Sequence, residues 1–255
     1  GSDQIWNPLF LDDSNSVFFY ASFTDKRKIA YAPSIGVSKV PQKYKEKLRK
    51  LTMCFDNLSA REQQGVDALH ELTGKNVTRV VDPTLLLDAD EWNRLLPAES
   101  PCNRKYILAY FLTPNKQFIN SAIEYAKRKD MRLKMFFTDK SYYDYDCDLI
   151  AAGPIEFLHY VKHAECLFTD SFHGSIFASI FHTQFFTFKR FKNKVESQNS
   201  RVENLLAMMR INERLIDENT CDEVYELADI DFKSVSKNII RSIEESKQYL
   251  FKALQ

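Results

Sequence analysis

A polar turn between two apolar runs is the first place in this sequence where chemistry is expected. The run Cys166–Phe168 is typical of a buried strand, and the run that ends at Phe181 is typical of a helix. The turn and the start of this helix contain Asp170, Ser171, His173, Gly174 and Ser175. Open α/β sheets bind ligands at the carboxyl ends of their strands, and the N–H groups of a helix's first turn favour an anion. The pattern therefore predicts an anion-binding turn.

The residue types in this turn suit that task. Ser171 and Ser175 offer hydroxyl groups, and Gly174 leaves room for a ligand to approach the backbone. Asp170 could orient His173 or accept a proton. The alternative is that Asp170 or Ser171 only caps a core helix, with His173 uninvolved. Residue spacing leaves both interpretations open.

Other stretches place cations where an anionic ligand would need them. Arg61 lies in the first turn of a predicted helix, where a positive charge opposes the helix dipole. It therefore needs an anionic partner, which is either a ligand or a neighbouring acid such as Glu62. Arg190 belongs to a basic loop at 189–194, and Arg201 opens the next helix. This loop is either solvated or a lid over an anionic substrate.

The sequence predicts no metal site. Glu156, His159 and His163 share one helix face at metal-compatible spacing, but no further Cys/His cluster completes a site, so a surface face is expected. The chain has no P-loop, G-x-G-x-x-G, G-x-S-x-G or H-E-x-x-H motif.

Short β-branched or aromatic runs alternate with helical periodicity, which favours a parallel α/β architecture. The predicted strands are 17–20, 28–32, 57–59, 79–81, 106–111, 133–137, 166–168 and 184–188. The predicted helices lie near 42–51, 61–73, 115–129, 154–163, 173–182, 198–209 and 232–254. In such a fold the polar turn lies at the carboxyl edge of a parallel sheet.

Domain organisation is predicted from a stretch at 96–103, which has two prolines and no periodicity and is typical of a linker. It divides the chain into residues 1–97 and 104–230. The last helix, within 231–255, can pack against either half.

Composition limits the classes of function. The chain has 255 residues, 44% of them hydrophobic, which supports a substantial core. Lys plus Arg and Asp plus Glu are both 35, and this balance argues against nucleic-acid binding. Five separated cysteines without C-x-x-C indicate a reducing compartment. Without a signal peptide or an apolar run of about 18 residues, we expect a cytoplasmic protein with no membrane span.

Six stretches form an ordered set across nearly the whole chain: GSDQIWNP (1–8), AYAPSIG (30–36), LSAREQQG (58–65), VVDPTLLLD (80–88), TDSFHGSIFA (169–178) and NSRVENLL (199–206). In this order and spacing they resemble the polysaccharide pyruvyl transferase family. The resemblance implies two Rossmann-like domains that face a cleft, as in B-type glycosyltransferases. It also implies a bacterial transferase of exopolysaccharide or capsule biosynthesis. Such an enzyme moves the pyruvyl group of phosphoenolpyruvate onto two hydroxyls of a sugar, forms a cyclic ketal and releases phosphate, with no cofactor besides this co-substrate.

The same resemblance assigns roles to individual residues. His173 matches the family's active-site histidine, Gly174 the glycine after it, and Arg61 the arginine of the S-x-R segment. His173 then either protonates the methylene carbon of the donor or binds its phosphate. Asp3 and Gln4 are the expected ligands of the acceptor, a saccharide that can be lipid-linked.

One position departs from the family pattern. Other branches have an arginine and a leucine before the histidine, whereas here these residues are Ser171 and Phe172. Arg190 or Arg201 is expected to supply the missing cation, and Asp170 is the expected partner of His173.

Two other functions stay open. One is a glycosyltransferase with a nucleotide-sugar donor on the same scaffold, and the other is a non-catalytic member that binds a glycan.

The start of the chain carries a further expectation. In the family, the stretch that matches residues 1–8 follows a strand within the first domain. If Gly1 and Ser2 are native residues, we therefore expect the first domain to lack its opening strands. Its sheet edge should be exposed, or covered by the last helix or by another chain.

Overall fold

The computed structural model describes residues 4–37, 39–190 and 199–255. The chain forms two compact units. The described residues of the first unit lie within Gly1–Leu86, Phe191–Asn204 and Ile239–Gln255, and the second unit comprises Leu87–Arg190 and Leu205–Asn238. Residue 97, the predicted boundary, thus lies inside the second unit. The last helix, which the sequence left unassigned, is divided between the units.

In the described part of the chain, helices and strands alternate as the sequence predicts. The helices are α1 (Asp13–Phe19), α2 (Gln42–Met53), α3 (Gln63–Thr73), α4 (Ala89–Asn93), α5 (Lys116–Arg128), α6 (Pro154–His163), α7 (Phe172–Phe181), α8 (Ser200–Met209) and α9 (Phe232–Leu254). The strands are β1 (Leu58–Ala60), β2 (Val77–Arg79), β3 (Tyr106–Tyr110), β4 (Arg132–Phe136), β5 (Asp148–Ile150), β6 (Cys166–Thr169), β7 (Gln184–Phe188) and β8 (Leu215–Ile216). The strand pairs within the sheets are all parallel, which confirms the predicted α/β class.

The first unit is built on β1 and β2, whose parallel register joins Leu58 to Val77. The predicted strand at 28–32 contributes only an isolated parallel bridge between Ile29 and Asn57. The core beside these strands includes Trp6, whose ring stacks on that of Tyr20 at a centroid distance of 5.0 Å.

The predicted strand at 17–20 is wrong, because this segment belongs to α1 and its end. Asp12 caps the helix. Its carboxylate accepts the Asn15 amide at 2.8 Å, and the Asn15 side chain accepts the Asp12 amide at 3.1 Å. This capping box starts a helix at the next residue. Burial then follows helical spacing, with Ser16 and Tyr20 inside, and outweighs the strand preference of Val17 and the aromatic residues after it.

The second unit contains a six-stranded parallel sheet in the order β5-β4-β3-β6-β7-β8. Numbered from its first strand along the chain, this order is 3-2-1-4-5-6, the strand order of the Rossmann fold. The chain reverses its direction of winding between β3 and β6, which lie side by side at the centre of the sheet. This topological switch point is where open α/β sheets form a ligand-binding crevice, outside the carboxyl ends of the strands.

Aromatic residues fill the core of the second unit. The rings of Phe111, Phe118 and Phe188 lie within 6.3 Å of each other, and Phe168 stacks near Phe188 at 5.8 Å. The five cysteines are free thiols. Among the described residues, no helix is both long enough and apolar enough to span a bilayer.

Candidate functional site

The polar turn predicted from the sequence lies at the switch point. It follows Thr169, the last residue of β6, and leads into α7 at Phe172. Thr169 is in register with Tyr110, the last residue of β3, and its hydroxyl donates to the Tyr110 carbonyl at 2.7 Å. The predicted strand–turn–helix is therefore confirmed, and it stands at the ligand-binding edge of a Rossmann-type sheet.

Asp170 ties the two loops at the switch point together. Its buried carboxylate accepts the amides of Leu112 and Thr113, from the loop after β3, at 2.6 and 3.1 Å. Burial raises the pKa of Asp170 to about 6, although these amides and the charge of Arg190 favour the ionised form. The bonds seen for Asp170 thus serve loop structure, and its pairing with His173 stays a prediction.

Ser171 is the N-cap of α7. Its hydroxyl accepts the Gly174 amide at 3.2 Å, and its own amide donates to the Thr169 hydroxyl at 3.0 Å. The capping alternative is therefore confirmed for Ser171. A contact between Ser171 and a donor stays a prediction.

Packing explains Gly174 and Ser175. A Cβ atom on Gly174 would lie 2.6 Å from the Thr169 hydroxyl, so the close approach of α7 to β6 requires glycine there. The fully buried Ser175 hydroxyl bonds the Ser171 carbonyl at 3.2 Å and the Thr187 hydroxyl at 2.7 Å, and joins α7 to β7. Both residues thus have packing or hydrogen-bonding roles within the protein, and their predicted contacts with a ligand stay predictions.

His173 lies in the first turn of α7 and is half-buried. Its ring contacts the edge of Phe172 at a centroid distance of 5.4 Å. Whereas Asp170, Ser171 and Ser175 are buried, His173 retains accessible surface. Among these polar residues it is therefore the one best placed to meet a ligand.

Arg190 brings a cation to the same edge of the sheet. It lies two residues after the end of β7, is half-buried, and its charge lowers the pKa of Asp170 against the larger effect of burial. Arg190 thus occupies the neighbourhood in which the family arginine is missing.

Arg201 is in the first turn of α8 and belongs to the first unit. Residues 191–194 of the predicted basic loop lie outside the described residues.

Tyr110 is a member of this cluster that sequence reasoning missed. Its half-buried side chain interacts with the hydroxyl of Ser171 and with the charges of Asp170 and Arg190. Its position near the carboxyl end of a predicted strand was a weak sequence signal that it belongs to the site. In a chain with 12 tyrosines and 20 phenylalanines, residue type alone does not distinguish it from a core aromatic residue.

In the first unit, two of the quoted stretches meet at Gln4 and Gly36. The Gln4 side-chain oxygen accepts from the Asn7 amide group at 2.7 Å, and the Trp6 backbone amide donates to the Ser34 carbonyl at 3.3 Å. Gly36 has φ = 67°, and a Cβ there would lie 2.4 Å from the Gln4 oxygen. Gln4 therefore packs against the glycine loop, and its predicted acceptor contact stays untested. Asp3 lies outside the described residues.

Arg61 has buried anionic partners within the protein. Its Nε lies 3.0 Å from Glu62 Oε1, and its Nη1 lies 2.6 Å from Asp82 Oδ2, with all three side chains at most 5% exposed. Asp82 also accepts the Thr84 amide at 3.0 Å. The ion-pair alternative considered for Arg61 is thus present, and its role in donor binding stays a prediction.

Within the described ranges, no group of three or more His, Cys, Asp or Glu residues could hold a metal. The expectation that the face of Glu156, His159 and His163 is a surface face is wrong for His159, which is buried. Its ring lies edge-on to that of His163 at 5.0 Å, and neither Nε2 atom has a hydrogen-bond partner among the described residues. Glu156 is exposed.

Solved structures resemble this chain at low identity. The UDP-GlcNAc 2-epimerase of Methanocaldococcus jannaschii, solved with UDP-GlcNAc and UDP, is 15% identical over 76% of this chain and 62% of that chain, with a TM-score of 0.46. The enzyme of the same name from Neisseria meningitidis, bound to UDP-GlcNAc, is 11% identical over 94% and 72%, with a TM-score of 0.46. The glycotransferase of kitacinnamycin is 12% identical over 83% and 60%, with a TM-score of 0.49. The chain thus spans 62% of the length of the first of these.

A search of curated proteins found no match. A family model described as polysaccharide pyruvyl transferase matches residues 1–190 of the 255. This range contains five of the six quoted stretches, together with the polar turn and Arg190. The chain belongs to the polysaccharide pyruvyl transferase family.

Proposed function

We propose that this chain transfers the pyruvyl group of phosphoenolpyruvate onto two hydroxyls of a saccharide, with formation of a cyclic ketal and release of phosphate. One observation carries the proposal. The turn that contains His173 lies at the switch point of a Rossmann-type sheet, beside Arg190. Family membership supports the reaction class.

The donor is bound through its charge. Phosphoenolpyruvate carries a phosphate and a carboxylate, and guanidinium groups are well suited to bind either one. Arg190 supplies such a group at the carboxyl edge of the sheet, and the amino-terminal end of α7 adds the positive end of a helix dipole. Binding by these groups needs no metal ion or further cofactor.

The chemical step requires a proton donor. The methylene carbon of the donor takes up a proton, and the first sugar hydroxyl forms a bond to the central carbon and loses its own proton. The carbon–oxygen bond to phosphate then breaks, and the second hydroxyl closes the ketal and loses its proton. One of the two hydroxyl protons balances the new methyl group, and the other leaves with phosphate or solvent. His173 is the proposed acid, because a histidine can carry and release a proton near neutral pH.

The acceptor is proposed to be a sugar of a bacterial exopolysaccharide or capsule precursor, including lipid-linked forms. Such an acceptor offers two neighbouring hydroxyls and no charge at the reacting position. Asp3 and Gln4 are its proposed ligands, because carboxylate and amide groups bind hydroxyls well. Of the two, Gln4 packs on the loop of Gly36.

Release of phosphate from phosphoenolpyruvate, measured against a panel of glycans, tests the proposal. We expect phosphate release that depends on one class of glycan, with a ketal detected on that glycan by mass spectrometry. His173→Ala serves as the inactive control. Turnover of a nucleotide sugar on the same panel, without release of phosphate from phosphoenolpyruvate, would refute it.

A further inference from the structure

The side chain of Tyr110 is held at the switch point by aromatic contacts. Tyr110 ends β3 and is in register with Thr169 at the end of β6. Its ring lies edge-on to Phe136 and Phe157, at centroid distances of 5.6 and 5.2 Å. These contacts fix the orientation of the ring, so the hydroxyl occupies a defined position at the sheet edge.

The hydroxyl of Tyr110 lies among polar groups of the turn. It interacts with the hydroxyl of Ser171, which is itself held by the Gly174 amide at 3.2 Å. Burial and the charge of Asp170 raise the pKa of Tyr110, while Arg190 and Ser171 act in the opposite direction. The phenol therefore stays protonated at neutral pH and remains a hydrogen-bond donor.

Tyr110, Ser171, Asp170 and Arg190 form a corner at the carboxyl edge of the sheet, and the chemistry of this corner suits an oxyanion. Arg190 brings positive charge, and the Tyr110 and Ser171 hydroxyls, which bond to each other, together keep one O–H that can donate to a ligand. Asp170 would repel an anion, but its carboxylate is occupied by the amides of Leu112 and Thr113. A neutral donor beside an arginine thus offsets that repulsion without adding negative charge.

We propose that the hydroxyl of Tyr110, together with Ser171 and Arg190, binds an anionic group of the donor, either its phosphate or its carboxylate. The identity of the donor rests on the proposed function, whereas the corner itself needs only an oxyanion. Tyr110 is thereby a binding residue for the reaction, in addition to the residues that the family resemblance assigns.

Two variants at opposite ends of the same strand test this inference. Tyr110→Phe removes the hydroxyl and keeps the ring contacts with Phe136 and Phe157. Tyr106→Phe is the control, because its hydroxyl donates to the Tyr160 carbonyl at 2.8 Å, at the amino end of β3. Calorimetric titration measures the affinity of wild type and both variants for phosphoenolpyruvate, inorganic phosphate and pyruvate.

We expect Tyr110→Phe to bind phosphoenolpyruvate about ten- to a hundred-fold more weakly than wild type, the loss expected for a hydrogen bond to a charged group. Tyr106→Phe should bind it with unchanged affinity. The phosphate and pyruvate titrations show which anionic group the hydroxyl meets. Equal affinity of Tyr110→Phe and wild type would overturn the inference and leave the proposed donor intact.

Two other outcomes separate the inference from the proposed function. If wild type binds phosphate but not phosphoenolpyruvate, and Tyr110→Phe loses phosphate binding, then anion binding by this corner is supported and the proposed donor is wrong. If wild type binds none of the three probes, both are wrong. Loss of binding in both variants, in proportion to a lowered melting temperature, would also overturn the inference, since Tyr110 would then act through stability alone.

Discussion

Replacing Arg61 with alanine separates a structural ion pair from a donor-binding role. In the structure, the Arg61 guanidinium lies between the carboxylates of Glu62 and Asp82, at 3.0 and 2.6 Å. The three side chains are between 1% and 5% exposed. Arg61→Ala would therefore leave two buried carboxylates close together without their cation.

The expected loss of stability is large. Removing one partner from a buried ion pair costs about 3–5 kcal/mol, because the remaining charge is left uncompensated in a poorly solvated site. Here two carboxylates lose their partner, although Asp82 keeps the Thr84 amide as a donor at 3.0 Å. We expect the free energy of unfolding of the first unit to fall by about 3–5 kcal/mol.

Denaturation followed by tryptophan fluorescence measures this loss. The chain has two tryptophans, and Trp6 is buried in the first unit while Trp92 belongs to the second. A Trp92→Phe background therefore leaves a reporter of the first unit alone. Arg241→Ala is the matched control, because Arg241 Nε also contacts a glutamate at 2.8 Å but its side chain is 85% exposed. We expect no measurable change for the control.

Binding of phosphoenolpyruvate, measured on the same variants, completes the test. An unchanged unfolding curve for Arg61→Ala, combined with weaker binding of phosphoenolpyruvate, would refute the structural reasoning and assign Arg61 to the donor. A large loss of stability with normal affinity in the folded fraction would support it.

Four further predictions concern the second unit and the reaction. His173→Ala should abolish transfer and leave the melting temperature unchanged, because the ring is partly exposed; turnover at the wild-type rate would rule out His173 as the acid. Gly174→Ala should destabilise the ligand-free protein by about 1–3 kcal/mol through overpacking against Thr169, and an unchanged denaturation midpoint would contradict the 2.6 Å contact. Activity should survive EDTA, and loss of activity with rescue by a divalent ion would show the opposite. Because the folded state keeps the Asp170 proton to about pH 6, stability should fall as pH rises from about 4 to 6, and Asp170→Asn should lose this component of the pH dependence in denaturation curves.

Long elements with strong periodicity were predicted well from the sequence. The helices at 154–163 and 232–254 and the strand at 184–188 have the same bounds in the structure as in the prediction. Each has either a sustained apolar face or a bounded aromatic run. Two short strands, Asp148–Ile150 and Leu215–Ile216, were not predicted, since an alternation of apolar and polar residues cannot be recognised in two or three residues. They pair only at the outer edges of the six-stranded sheet.

The first helix shows what local patterns do not decide. The residues Val17 to Tyr20 favour a strand by type. The capping box of Asp12 and Asn15, however, starts a helix at Asp13, and this helix continues through Phe19. The buried His159 was missed for a related reason, because burial depends on what covers a helix face and not on the spacing within it.

The candidate site was located from the sequence, while the partners of its residues were not. The turn after Phe168 was predicted at a ligand-binding edge, and the strand order supports that location. Partners such as the amides of Leu112 and Thr113 for Asp170, or Asp82 for Arg61, come from segments distant in sequence. Only the fold brings these groups together, so spacing within one motif could not identify them.

The buried polar groups of the turn explain how a small segment can present a reactive side chain. Asp170 is fixed by two amides, Ser171 caps α7, and Ser175 bonds Thr187 on β7. A polar network whose members are hydrogen-bonded holds the backbone in one conformation and leaves little freedom for the residues that it carries. The side chains of His173, Tyr110 and Arg190 are half-buried at this edge. Substitution of Asp170 should therefore impair activity through the geometry of the turn, whereas substitution of His173 or Tyr110 should impair it without loss of the fold.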